Sequence, residues 1–569
     1  MPVKSKIMES ITEQKIIRSQ LFSDCFFLSI VVLTSLILYI PSLGFYSDDW
    51  SFLAPLSLST DQSFLGLFQS VYLHQPNVQM RPVQVLYIAG LYWLFGLNPL
   101  GYHLINCVFL SLGIVFFYLI LRELKQPRFL ALSIPLVYAL LPHYSTNRFW
   151  VAAFQITLSM TLYFLSLYAD LVAVRTKTTL GLWAWKLISI ASLLISGLAY
   201  EIFLPWFLFN PLLSWYRGRL LNQSILSYFS KPKLILLMGS TFPCIVFVFL
   251  FKKVTTTRQG EIEFKEHLGW LFQLLKDAVS ISYGDYGFKL PRIVGSIIYS
   301  QTNWAILILS GLVGLAVFSY LFYIVKPQNI NLLNYTNGLK LTLVSFFIFA
   351  AGYSIFLLTQ NAQNSAAGIS NRIAIASAIG VALTFVGLIG LASSFIRTNR
   401  SREVLFCLLI ALLCSSGFII NNAIASYWAD AYRQEQNILA DIQQHLPSLK
   451  DDATLILDGI CPYSGPAVVF ESNWDLAGAL RIIYKTYTLK ADVVTPNLQV
   501  NEDGLTTALY YGSLVSHYPY ENLLIYNIKD KLVHEITDAD AAYRYFQTFN
   551  ADYDNNCPKG REGHGVRIF

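Results

Sequence analysis

The residues best suited to chemistry stand at the ends of long apolar runs. The segment GFYSDDWSFL sets Asp48 and Asp49 side by side just after the first such run. A carboxylate beside a hydroxyl can accept its proton as a general base, and a pair can share a divalent cation such as Mg or Mn. If the first helix ends there, its dipole is negative at that point, so the pair calls for a compensating cation, metal or catalytic task. The structural alternative is that Ser47 and Asp48 cap a following helix. In HQPNVQMRPVQVLY, Arg81 directly precedes Pro82 at what reads as a helix start. Free backbone N–H groups and a guanidinium together favour a phosphate there, and snorkelling to lipid headgroups is the other use of such a residue.

Further polar residues follow the same placement. In LNPLGYHLINCVFL, His103 and Asn106 lie three apart, on one face of a helix at its beginning. LLPHYSTNRFW brings His143, Asn147 and Arg148 into one turn, and LAYEIFLPW puts Glu201 in a very tight turn between apolar runs. A carboxylate next to hydrocarbon is costly, so Glu201 must be paired or solvated, and such residues are functional candidates. In TQNAQNSAAGISNRIAIAS, Asn371 and Arg372 open another apolar run, where the arginine could hold a phosphate.

The elements that must position these residues are set by composition. The chain has 569 residues, 55% hydrophobic and 13% charged, against about 25% charged in a soluble domain, so one water-soluble globule is excluded. Apolar runs near 24–43, 101–121, 128–142, 149–170, 181–199, 201–215, 234–251, 304–325, 340–359, 372–394 and 403–424 predict about eleven transmembrane helices. The stretch from Pro82 to Leu97 is short and rich in Tyr and Trp. If it lies flat at the interface, Arg122, Lys125, Arg128, Arg175, Arg217 and Arg397 fall on one side, which the positive-inside rule makes cytoplasmic. The N-terminus is then inside, and the outer side holds loop 44–100, the large loop 252–303 and the C-terminus. Lys252, Lys253, Arg148 and Arg372 are left outside against the rule.

From 429 the composition becomes mixed, with QEQNILADIQQHLPSL reading as an amphipathic helix and DATLILDG as a strand. The expected organisation is a polytopic membrane module over 1–428 and a small extracytoplasmic α/β domain over 429–569. Cys461 and Cys557 both lie in that domain, either as a disulfide or as two thiols. The net charge of +6 suits basic cytoplasmic loops and gives no reason to expect nucleic acid. HEITD breaks the HExxH pattern, TDADAAYRYF reads as a capped helix start, and no GxxxxGK[ST], GxGxxG or GxSxG is present.

In order, SDDW, an external RP, NPLGYHLIN, a proline-bearing turn ending in Trp, and YEIFLP resemble the GT-C membrane glycosyltransferases. The likeness is to protein O-mannosyltransferases, the transmembrane and tetratricopeptide repeat O-mannosyltransferases and related bacterial enzymes. It covers about the first two hundred residues and extends loosely to the SNR ending in Arg372. The resemblance implies a hexosyl- or mannosyltransferase using a polyprenyl-phosphate sugar on the extracytoplasmic face. It maps the acidic pair to Asp48 and Asp49, the RP to Arg81 and Pro82, the histidine and asparagine to His103 and Asn106, and the later glutamate to Glu201. The sequence departs from it at Thr146 and Asn147, where many relatives carry glutamate, and at Tyr200, where relatives often have lysine.

Residues and resemblance together lead to an expected transfer with inversion. An Asp base is expected to act on an acceptor hydroxyl, with His143, Arg148, Asn371 and Arg372 joining Arg81 around the donor. The acceptor class is protein, lipid or glycan, and a bacterial inner membrane is the expected location. A lipid or glycan transporter, or a non-catalytic glycan-binding membrane protein, are the alternatives.

Overall fold

The computed structural model describes residues 2–221, 239–255, 264–300, 304–325, 335–357, 362–509 and 514–548. Helix, α or 3-10, occupies most of the described part of every apolar run. Five helices are long and apolar enough to cross a membrane: Pro99–Glu123, Val151–Arg175, Thr179–Ala199, Trp304–Val325 and Asn399–His445. A sixth candidate is the pair Ile369–Ile375 and Ala378–Ser394, bent by 66°. Among the described residues the other runs form shorter or broken helices. Proline is one cause: Pro135 lies inside Arg128–Leu140, and Pro205 inside a 3-10 stretch, Glu201–Leu208. Pro82–Phe95 has 14 residues, a length of about 21 Å, too short for a hydrocarbon core of about 30 Å.

Burial orders the bundle. The apolar window of Val151–Arg175 is 83% buried and that of Trp304–Val325 only 28%, so the first is the central helix and the second lies at the periphery. The central helix packs between Pro99–Glu123 and Thr179–Ala199. In lipid there is no hydrophobic drive between helices, so small residues and hydroxyls supply the contacts. Ser159 with Ser196, Ser166 with Ser189, and Ser310 with Ser415 are hydroxyl pairs across helices, at 3.0, 2.9 and 2.7 Å. A methyl on Gly380 would stand 2.4 Å from the Phe349 backbone nitrogen, so only glycine lets these two helices approach so closely.

The two ends of the bundle carry different chemistry. At one end Glu123 accepts from Arg175 and Arg217, at 3.2 and 2.9 Å, which gathers basic residues that the charge rule places inside. Toward the other end of the same 25-residue helix, about 30 Å away, His103 lies against Gly44, in the loop that leads to the acidic pair.

The C-terminal part has no linker to the bundle. Asn399–His445 is one helix of 47 residues whose last quarter is the start of the amphipathic segment expected from 434 onward. A four-stranded sheet follows, ordered Lys490–Val493, Thr454–Asp458, Leu523–Asn527, Leu532–Glu535. The first three strands are parallel and the last antiparallel. A second sheet of three antiparallel strands covers 499–519. Asp538 caps Ala539–Thr548 by accepting from Ala541 N–H at 2.7 Å, as expected for TDADAAYRYF. Cys461 is disulfide-bonded, and Cys557 lies outside the described residues.

Candidate active site

The acidic pair does not end the first helix. That helix stops at Thr34, a 3-10 turn covers Ile40–Ser42, and Asp48 and Asp49 form the first turn of a separate helix, Asp48–Ser57. The sign of the dipole argument is therefore reversed, because carboxylates at a helix N-terminus are stabilised. Ser47, at φ 46°, turns the chain into this helix without a side-chain cap.

The two carboxylates have different surroundings. Asp49 is 1% exposed, and its oxygens accept from Tyr46 N–H at 2.9 Å and Ala152 N–H at 2.6 Å. It ties the Gly44–Ser47 loop to the entry of the central helix. Burial, reinforced by the charge of Asp48, pushes its carboxyl well above the usual range against these N–H bonds. Asp48 is only partly buried and is the member of the pair that a solute can reach.

The C-terminal domain closes over this helix. Asn473–Tyr484 packs on Asp48–Ser57, and Gly478 lies so near the Trp50 carbonyl that a methyl there would be at 2.6 Å. Glu471, just ahead of that helix, accepts from Ser47 Oγ at 3.2 Å and from the Tyr463 hydroxyl at 2.5 Å. Arg372 comes to the same place. Its guanidinium stacks over Trp150 at 4.9 Å, donates to Ile369 O at 2.7 Å, and acts on Glu471 electrostatically, as does Asp48.

A second group forms around Glu201. Arg81 Nε donates to Glu201 Oε2 at 3.0 Å, a second guanidinium nitrogen bonds Oε1, and the arginine lies over the Tyr200 ring at 4.2 Å. Lys252 Nζ donates to Glu201 Oε2 at 3.0 Å and to Met80 O at 3.2 Å. Burial raises the Glu201 carboxyl, but the two cations outweigh it and hold it well below the usual range. Glu201 is thus an ionised anchor, and two cations around one carboxylate leave one net positive charge. Arg81 and Lys252 side chains are 16% and 11% exposed, enough for an anion to touch them.

Both groups meet the start of the central helix. Asp49 bonds Ala152, while Ser159 Oγ donates to Tyr200 O at 3.1 Å, seven residues on, or about 10 Å along the axis.

No family model and no curated protein matches the sequence. Solved structures similar to it include ArnT from Cupriavidus metallidurans, in the apo state and bound to undecaprenyl phosphate, each at 13% identity and TM-score 0.33. The alignments cover 81% and 83% of this chain and 84% and 85% of those chains. The Archaeoglobus fulgidus oligosaccharyltransferase in the apo form matches at 14% identity and TM-score 0.39, over 82% of this chain and 64% of that one. Likenesses at this level leave the chemistry to be decided by the residues themselves.

The other sequence-selected residues are buried between the elements. His103 bonds Gly44 O at 3.0 Å, and Asn106 donates to Asn147 O at 2.9 Å. His143 stacks near Tyr286 at 5.0 Å, and burial pushes its imidazole down to about 3, so it stays neutral. Arg148 bonds Ala139 O and donates to Ser35 Oγ at 3.3 Å. Asn371 is fully buried, accepts from Ser145 Oγ at 3.2 Å and donates to Ala366 O at 2.9 Å. These side chains hold the turns at this end of the bundle together.

Glu471 and Tyr463 escaped the sequence reading, since nothing local distinguishes them, and Trp150 and Tyr200 entered it only as parts of motifs, without a partner. Lys252 carried a signal, as an expected exception to the charge rule, and it bonds Glu201. Among the described residues no three His, Cys, Asp or Glu side chains converge as a metal site.

Proposed function

We propose that this protein is a GT-C-type membrane glycosyltransferase that moves a sugar from a polyprenyl-phosphate donor to an acceptor hydroxyl at the extracytoplasmic face. The observation that carries the reading is the division of labour at one end of the bundle. A reachable carboxylate, Asp48, and the Arg372 guanidinium both act on Glu471, and the net-positive Arg81–Glu201–Lys252 group lies about two helical turns along the same central helix. The motif order of the first two hundred residues supports the same reading.

Asp48 takes the proton of the acceptor hydroxyl. The freed oxygen bonds the anomeric carbon, and the carbon–oxygen bond to phosphate breaks, its electron pair leaving with the phosphate. A single displacement of this kind inverts the anomeric centre. Arg81 and Lys252, fixed by Glu201 and aided by the open N-terminus of Pro82–Phe95, hold the phosphate, with Arg372 facing the acceptor side. In this reading the membrane is a bacterial inner membrane, and the positive-inside rule supports an extracytoplasmic position for this end with the N-terminus in the cytoplasm.

The test uses the purified full chain in lipid, a radiolabelled polyprenyl-phosphate sugar and an acceptor extract. Label must pass to the acceptor with wild type and not with Asp48→Asn. Label that crosses the bilayer still on its lipid, equally with both proteins, would make this a carrier and overturn the reading.

A further inference from the structure

The C-terminal domain buries a carboxylate where docking alone needs none. Glu471 is 5% exposed, and a buried carboxylate is costly unless hydrogen bonds and charges compensate it. Its compensation comes from three other parts of the chain. Ser47, the residue before Asp48, donates to Oε1 at 3.2 Å, and Tyr463 of the Tyr463–Val468 hairpin donates to Oε2 at 2.5 Å. Arg372 of the outer 3-10 turn supplies the positive charge. Asp48 faces Glu471 from the outer helix, and Asp475 from its own helix. Asp49 and Glu435 lie one step further, acting on Asp48 and Asp475 in turn. The Trp474 indole N–H also reaches Ser47 Oγ, at 3.5 Å.

We propose that Glu471 is a positioning residue of the transfer site, supplied by the C-terminal domain, which sets Asp48 and Arg372 relative to one another. This role rests on the glycosyltransferase reading above. An ionised Glu471 adds negative charge beside Asp48, which makes Asp48 a stronger base, and it draws Arg372 toward the same point. Docking of the domain is then part of assembling the site.

The charged form of Glu471 is pH-dependent in the working range. Burial pushes its carboxyl up, the Tyr463 hydrogen bond opposes this, Asp48 adds to it, and Ser47 and Arg372 pull it back to about 7. The charge is present above that value and lost below it, so its contribution to turnover rises with pH.

The experiment measures kcat and KM for sugar transfer by the full chain in lipid between about pH 6 and about pH 8. Wild type, Glu471→Gln and Tyr463→Phe are compared, with thermal melting as the check on folding. Wild-type kcat is expected to rise along a limb centred near neutrality. Glu471→Gln loses that limb and roughly tenfold in kcat, equivalent to one unit on the neighbouring base, with the donor KM little changed. Tyr463→Phe removes a bond to the charged form, so its limb moves to higher pH, an effect that a purely structural role would not give. A wild-type limb in Glu471→Gln, or an unmoved limb in Tyr463→Phe, overturns the role of Glu471 and leaves the transferase reading standing. If Glu471→Gln fails to fold, the position of the Tyr463→Phe limb decides. Absence of transfer by wild type at every pH overturns both.

Discussion

Asp48 and Asp49 are neighbours with separate tasks, and substitutions should separate them. Asp48→Asn removes a base, so transfer should fall by about 10² to 10⁴ with an unchanged melting temperature. Asp49→Asn replaces an acceptor by an N–H₂ group where two backbone N–H groups converge, and should cost about 1–3 kcal/mol of stability, read by thermal melting. Had the two variants behaved alike, the assignment of roles would be wrong. Glu201→Gln leaves Arg81 and Lys252 facing each other without a full counter-charge. A loss of about 3 kcal/mol is expected, together with a weakened donor KM in transfer assays. Proximity in sequence told nothing about the division between the two aspartates, because it depends on which one reaches Ala152.

At the scale of elements, the site is a junction between the Asp48–Ser57 helix, the outer turns and the Asn473–Tyr484 helix. Their packing is close enough that Gly478 has no room for a side chain against Trp50. Gly478→Ala should therefore overpack the junction by about 1–3 kcal/mol and separate the two helices. Transfer should drop while binding of the lipid donor, which needs the Arg81 group, is retained. Protease cleavage within 446–453 would report the released domain, and resistance equal to wild type would speak against this junction. The apolar runs and the capped starts of these helices were legible in the sequence. The broken ones were not, since a proline such as Pro205 shows where a helix weakens but not whether a 3-10 turn or a full break follows.

Over the whole molecule, the buried charges show how the bundle fixes its helices. Asp24 accepts from Arg128 at 2.7 Å and from the Tyr118 and Tyr320 hydroxyls, which joins four helices. Asp170 accepts from Lys186 at 2.7 Å and from Asn210 at 2.8 Å. Breaking such a pair from one side leaves a bare buried charge. Lys186→Met should thus cost about 3–5 kcal/mol in detergent melting, and adding Asp170→Leu should recover most of it. Equal loss in the single and double variants would show that packing, not charge, is lost.

The sequence by itself determined the membrane character, the apolar runs, and the ends of those runs at which polar residues gather. These follow from composition and spacing, because a bilayer admits few solutions for a chain that is 55% hydrophobic. Only the tertiary structure decided which polar residues are reachable and which are bound to backbone. Glu471 and Ser47 meet across 424 positions, and Lys252 meets Glu201 across 51. Local pattern has no access to such pairings, since they depend on how the helices cross and where the C-terminal domain comes to rest.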